Sequence, residues 1–441
     1  MSEPAAPPRA WPLIGVLPAM RRAPHCAFAA LQARHGDHVR VPIGPRKVDL
    51  LSDPETARAL LRQPEERAGK SIFYDKLRAA FGDGLLTSSG ELWQRQRALI
   101  QPLLTPRAVQ AYVPDVTAAT DQLIAAWRAA ARAGETVDAQ SWASALARDV
   151  TVRALFGAES GGPDAAMTDA LSTMEHWSAK RFWSLIDPQL YPNPGRRRYA
   201  RAVALVDARI YPMIEHRRAD PHARDDLLAR LVRARDDAGG MSERQLRDEA
   251  ATLYMAGQET TANGLTFALW ELARRPDIQA TVRTEADAVL DASAPAADAA
   301  RRMPWTRAVV EETLRLHPPV WSVGRETHMH VDLRGTELPA GRTCVVAPWI
   351  LHRRADVWDA PAEFRPERFH TGQQPRAYMP FGAGHRNCVG RDFAMMEMIL
   401  ALGLILRAFR LADATGGPVR DHALVGLVPD PHPRLRVHAI D

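Results

Sequence analysis

Apolar and polar residues alternate with a period of two at Val39, Val41 and Ile43, and again at Val48, Leu50 and Leu51, with Gly44-Pro45 between the two runs. That pattern predicts a hairpin over residues 37–52. From about residue 54 to 316 the period becomes that of a helix, carried by Ala, Leu and Arg. Strand signals return within 320–347, where Gly335 and Gly341 punctuate short apolar runs, and again over 422–438. Residues 1–20 are rich in proline and are expected to lie extended over the surface. The reading is a mainly α chain with a minor β region drawn from distant segments. No repeat or long linker divides it, so residues 1–441 are expected to form one domain.

One helix is explicit. Ser242, with Gln245 three residues on, makes a capping box, and helical sequence then continues to Arg274 before Pro276 stops it. About 32 residues at 1.5 Å each give ~48 Å, enough to cross a whole domain. From Ala250 to Trp270 this helix is apolar on most faces and is expected to be buried. Its middle nevertheless reads Ala256-Gly257-Gln258-Glu259-Thr260-Thr261, poor helix material. Two readings stand: polar groups bonded back to i−4 carbonyls, or a local break that marks a functional site.

Composition narrows the class. The chain is 46% apolar and 25% charged, a globular balance. Its 57 Lys and Arg against 52 Asp and Glu leave a net charge of +5, too small an excess to argue for nucleic acid. Cys26, Cys344 and Cys388 are too few for a disulfide framework, so a reducing cytoplasm is expected and each thiol is free to be a ligand or a nucleophile. The N-terminus lacks the basic and apolar regions of a signal peptide. Met398 to Leu406, the longest apolar run, falls well short of the ~20 residues of a membrane span and reads as a buried helix, so no transmembrane anchor is expected.

The most informative stretch is Phe381-Gly382-Ala383-Gly384-His385-Arg386-Asn387-Cys388-Val389-Gly390. Its glycines permit tight turns and close backbone approach to a flat ligand. Cys388 reads as the start of a helical run, where dipole and free N–H groups favour a thiolate. A buried inert cysteine, a nucleophile and a single axial thiolate to haem iron are the three readings; for the third, Arg386 supplies a cation for the propionates.

The decapeptide resembles the haem-binding signature of the cytochrome P-450 family, F-x-x-G-x-R-x-C-x-G, at Phe381, Gly384, Arg386, Cys388 and Gly390. Three more motifs occur in the family's order. Ala256 to Thr261 resembles [AG]-G-x-[DE]-T-[TS], Glu312 to Arg315 is similar to E-x-x-R, and Phe364 to Phe369 resembles F-x-P-x-R-F; Trp93 with Arg97 is a weaker fifth. The resemblance covers nearly the whole chain and implies a soluble bacterial haem-thiolate monooxygenase of secondary metabolism.

That resemblance carries expectations residue by residue. Haem b lies between the central helix and the cysteine loop, with Cys388 the metal ligand. Trp93, Arg97, Arg325 and Arg386 hold the propionates. Glu312, Arg315 and Arg368 form a buried structural network. Glu259 relays protons, and Thr260 meets oxygen or its water at the helix break. The substrate pocket falls to Phe73, Tyr74, Leu85 and Leu86; to Leu253, Ala256 and Gly257; to Val320, Trp321 and Val323; and to Leu424, Val425 and Leu427. Being almost wholly apolar, it implies a lipophilic substrate: terpenoid, fatty acyl or polyketide-like. Expected partners are O2 and a separate ferredoxin or flavodoxin with its reductase, so that NAD(P)H acts only indirectly, on a monomeric cytoplasmic enzyme. Arg95 and Arg376 are expected to offer a basic docking face. A peroxide-driven peroxygenase and a haem-binding sensor or carrier are the alternatives, and the paired Glu259 and Thr260 argue against both.

Overall fold

The two period-two runs pair antiparallel, His38–Ile43 against Arg46–Leu51, in register from His38 with Leu51 to Ile43 with Arg46. The computed structural model describes residues 15–43, 46–157, 165–182, 184, 188–222, 225–290, 295–372, 374–423 and 425–440. The expected turn at Gly44-Pro45 lies outside them, as does the proline-rich stretch up to residue 14. From Leu17 to Arg22 the chain is helical, with Pro18 in the first turn, where a missing N–H costs nothing; the extended expectation fails for those residues.

Val48 and Leu50 are buried on one face against Met20, Phe28 and Leu31, and Leu51 on the other against Ala57, Leu60 and Leu61; the hairpin itself extends into a five-stranded sheet. Thr343–Val346 runs parallel to Arg46–Leu51, Val323–Thr327 pairs antiparallel with it, and Ala68–Lys70 closes the edge. This last strand lies inside the stretch read as helical; three residues are too few to show a period. It sets Lys70 opposite Arg325.

Helix forms most of the rest of the body, beside one three-stranded sheet and three two-stranded ones among the described residues. The central helix runs Glu243–Ala273, 31 residues, and its capping box is present: Gln245 N–H donates to Ser242 Oγ at 3.2 Å, and Ser242 N–H donates to Gln245 Oε1 at 2.8 Å. It packs along Ala139–Phe156 on one side and against Pro304–Leu316 and Arg391–Ala408 on the others. Leu265, Leu269 and Leu272 are essentially fully buried in the main core, and each contributes roughly 1.5–3 kcal/mol.

A hairpin of Arg420–Ala423 and Leu427–Asp430 closes over the C-terminal part of the central helix. His317, stacked on Phe267 at 4.1 Å, ties it down: Nδ1 meets Asp421 Oδ1 at 2.6 Å and Nε2 meets Glu271 Oε1 at 3.3 Å. Burial works against a charged ring here, but the two carboxylates outweigh it and raise the His317 pKa. No helix among the described residues is long and apolar enough to cross a membrane.

Candidate active site

Central helix, cysteine loop, five-stranded sheet and hairpin enclose a cavity of about 1020 Å³. Of the residues expected at a cofactor, Trp93, Arg97, Arg325, Phe381, Arg386, Cys388 and Gly390 line it. Glu259 and Thr260 face it from the central helix, as do Leu253, Ala256 and Gly257. Phe73, Tyr74, Leu85 and Leu86 line it too, with Val320, Trp321, Val323 and Val425. Of the remaining two residues expected in the pocket, one is not described and the other does not line the cavity. Leu424 lies outside the described residues, and Leu427 is fully buried in a core cluster with Trp321, behind the wall.

Cys388 lies deep in the molecule with its side chain open to this cavity. Its N–H donates to Phe381 O at 2.9 Å, closing the loop on itself. The following helix begins only at Arg391, with Gly390 as its N-cap, so Cys388 precedes the helix instead of starting it. Burial pushes the thiol pKa up, while the Gly390 backbone and Arg97 pull against that rise. Gly384 does not touch the cavity. At φ +74° it packs on the end of the helix Pro54–Leu61, where a Cβ would come within 2.2 Å of Leu61 O. Its glycine serves loop docking, not a flat ligand.

The cations differ in what they already hold. Arg386 lies 3.8 Å from the Trp93 ring centroid, pairs with Glu65 and donates to Ser88 O at 3.1 Å. Arg97 braces the loop, with 2.8 Å bonds to the backbone and side-chain oxygens of Asn387. Arg325 is 5% exposed, donates to Gly324 O at 3.0 Å and has no carboxylate in salt-bridge range among the described residues. A buried, unneutralised guanidinium calls for an anion. With one sulfur open to the cavity and this cation at its rim, the residues fit a haem: Cys388 as ligand, Arg325 with Arg386, Arg97 and Trp93 for the propionates.

The central helix is continuous through Ala256–Thr261, which corrects the expectation of a break. Thr260 Oγ1 donates to Ala256 O at 2.7 Å, so its polarity is met inside the helix. Gly257 is there for packing: a Cβ would lie 3.1 Å from Thr151 Oγ1 of the neighbouring helix. Glu259 reaches toward the hairpin, its Oε1 3.2 Å from where a Cβ on Gly426 would lie.

Glu312, Arg315 and Arg368 come together below the cysteine loop. Arg315 donates to both Glu312 oxygens, at 2.7 and 2.8 Å, and both side chains are wholly buried. Arg368 adds a 3.1 Å bond to Glu312 Oε1. The two arginines expected on a docking face are both ion-paired: Arg95 is bidentate on Asp236 at 2.7 and 3.1 Å, and Arg376, largely exposed, pairs with Glu55 at 2.7 Å.

Lys70 and Glu249 also belong here and carry no motif that would have found them. Lys70 lines the cavity on the edge strand, and burial followed by Arg386 pulls its amine down to about 6. Propionates paired with Arg325 and Arg386 would bring negative charge alongside and keep it protonated. Burial pushes the Glu249 carboxyl up to about 8.

Comparison with known proteins decides the family. The family model Cytochrome P450 matches residues 4–435. The chain belongs to the cytochrome P450 family. It is a P450 monooxygenase, with haem b as cofactor and electrons arriving indirectly through redox partners. It is 32% identical to a cyclooctat-9-en-7-ol 5-monooxygenase of Streptomyces melanosporofaciens over 93% of this chain and 92% of that protein. Against the pentalenene oxygenase of Streptomyces avermitilis it is 31% identical, over 98% and 96%. The human cytochrome P450 4F8 is 29% identical over 85% and 78%.

Proposed function

We propose that this P450 inserts one oxygen atom of O2 into a cyclic terpenoid, as a monomer in the cytoplasm supplied by a separate ferredoxin or flavodoxin and its reductase. The observation that carries the substrate class is near end-to-end similarity to two bacterial enzymes whose names specify pentalenene and cyclooctat-9-en-7-ol as substrates. The apolar wall of Phe73, Leu85, Leu86, Leu253, Val320 and Val425 supports it: such a wall binds a hydrocarbon skeleton by excluding water and offers few polar groups to fix it.

When bound, haem supplies O2 activation, and a thiolate ligand pushes electron density that favours O–O cleavage. The chain's own residues do the rest. Cys388 provides the sulfur. Arg325 and Arg386, with Arg97 and Trp93, neutralise and orient the propionates. Thr260 rests with its proton on the Ala256 carbonyl, so its oxygen can accept a hydrogen bond at the cavity, and a rotation about χ1 turns it into a donor. Glu259 passes protons inward, a role supported by its position between cavity and hairpin.

The test is turnover of pentalenene, with a fatty acid as comparison, using a surrogate ferredoxin and reductase and quantifying products. Oxidation of the fatty acid alone would reject the substrate class, and equal turnover with peroxide and no reductase would favour the peroxygenase alternative. Thr260→Ala should leave folding intact, since alanine is the better helix former by up to ~0.7 kcal/mol. Its expected effect is a fall in product per NAD(P)H consumed, with free hydrogen peroxide making up the difference. Full coupling in that variant would remove Thr260 from the proton path.

A further inference from the structure

Leu85 and Leu86 face the cavity from the irregular segment 82–88, whose backbone groups have no strand or long helix to satisfy them. Buried N–H and C=O groups must find partners somewhere: the Thr87 and Ser88 N–H groups donate to Gly84 O within the turn, and side chains from other elements meet others. Lys70, on the edge strand opposite Arg325, donates from Nζ to Leu85 O at 3.0 Å, to Ser88 O at 3.0 Å and to Leu86 O. An ammonium has three N–H groups, and all three are spent on this one turn. On the other side, Glu249 of the central helix is wholly buried, and its Oε2 accepts the Leu85 N–H at 3.0 Å. One residue earlier on that helix, Asp248 accepts the Asp83 N–H at 2.9 Å.

The seat is tight. A Cβ on Gly82 would lie 2.2 Å from the Asp248 carboxylate, and one on Gly84 would lie 2.2 Å from Thr252 Oγ1. The segment therefore lies directly against the helix that also carries Glu259 and Thr260. Leu85 is gripped from both sides, its N–H by Glu249 and its C=O by Lys70. Arg386, the propionate candidate paired with Glu65, donates to Ser88 O as well, so the turn is fixed from the cofactor rim and from the oxygen side at once.

We infer that Lys70 and Glu249 are positioning residues that staple the Leu85–Leu86 turn over the cavity, and so set how tightly an apolar substrate is held and which of its carbons is presented for oxidation. Neither needs to touch substrate. Each acts through the turn, and loosening it lowers the population of the binding-competent arrangement, which weakens apparent affinity in proportion. This inference rests on the monooxygenase site described above.

The experiment uses the haem-loaded full chain as wild type, Lys70→Met, Glu249→Leu and Glu249→Gln. Haem content and the carbonyl band of the reduced protein come first. If wild type itself lacks the thiolate band, the reading of the site fails, independently of the staple. Dissociation constants for 4-phenylimidazole and for pentalenene are then read from the haem spectrum, with hydrogen exchange of amides 83–88. Lys70→Met and Glu249→Leu are expected to bind both probes about tenfold more weakly, with faster exchange confined to this turn, and to broaden the product distribution. Glu249→Gln keeps an oxygen for the Leu85 N–H and should stay within about twofold of wild type. Should Lys70→Met not fold, Glu249→Leu against Glu249→Gln makes the same comparison. Unchanged affinities and exchange in both disruptive variants would overturn the inference. So would loss of haem from Lys70→Met while amides 83–88 remain protected, because Lys70 would then anchor the cofactor and not the turn.

Discussion

Glu312→Ala and Arg315→Ala are each expected to yield little soluble, haem-loaded protein. All five N–H groups of Arg315 have acceptors: two on Glu312, and one each on His352 O at 2.8 Å, Pro361 O at 2.7 Å and Glu363 O at 2.8 Å. Glu312 Oε1 in turn accepts from Arg315, from the Arg365 N–H at 2.7 Å and from Arg368. Removing Glu312 strands Arg315 where its exposure is zero, and removing Arg315 leaves the equally buried Glu312 with Arg368 as its one remaining cation, a loss of ~3–5 kcal/mol for a buried pair broken in this way. A domain's whole stability is about 5–15 kcal/mol, so most of the margin goes. The damage reaches the cofactor side as well. His352, whose carbonyl Arg315 holds, accepts the Met379 N–H on Nε2 at 2.9 Å, two residues before the cysteine loop. Burial keeps that imidazole neutral, its pKa lowered to about 3, so Nε2 is free to accept. The measurement is haem absorbance per milligram of purified chain, with thermal denaturation of whatever is recovered. Normal yield and loading would contradict the burial seen here. Arg368→Ala, whose loss leaves Glu312 still paired with Arg315, should be much milder.

This network was legible because its motif is local: Glu312 and Arg315 are one helical turn apart, and apolar neighbours on both sides declare the face buried. The central helix was legible for a similar reason, with its cap and stop both written in sequence. What sequence reasoning misjudged depends on packing across the chain. Thr260 and Gly257 read as signs of a broken helix, yet one bonds its own helix and the other makes room for Thr151. Gly384 matched a motif position but packs on Leu61 and Arg62. The partners of Arg95 and Arg376, Asp236 and Glu55, went unseen because they are 141 and 321 residues away in sequence. Lys70 and Glu249 stayed silent altogether. The strand holding Lys70 is three residues long, and a glutamate in a long helix gives no hint that a loop N–H from residue 85 will reach it.

Cys388→Ala should abolish turnover and remove the thiolate signature whether or not haem remains in the cavity. The three cysteines provide their own controls. Cys344 sits inside the five-stranded sheet, wholly buried, and burial followed by Asp49 raises its pKa so far that it stays a thiol. Cys26 lies on the helix Pro24–His35, outside the cavity wall, its pKa also raised by burial. Of the three, only Cys388 opens onto the cavity. Burial raises its pKa too, against the pull of the Gly390 backbone, Arg97 and Arg391; bound iron would bring it down. Cys26→Ser and Cys344→Ala should therefore keep the far-red-shifted carbonyl band of a thiolate haem, and Cys388→Ala should lose it. Cys388→Ser separates geometry from electronics. An alcohol can occupy the same place, but its oxygen does not supply the electron density of a thiolate, so the expected result is haem retained while product formation from O2 stops. A thiolate band surviving in Cys388→Ala would force the ligand onto another sulfur, and neither remaining cysteine lines the cavity where Arg325 awaits an anion.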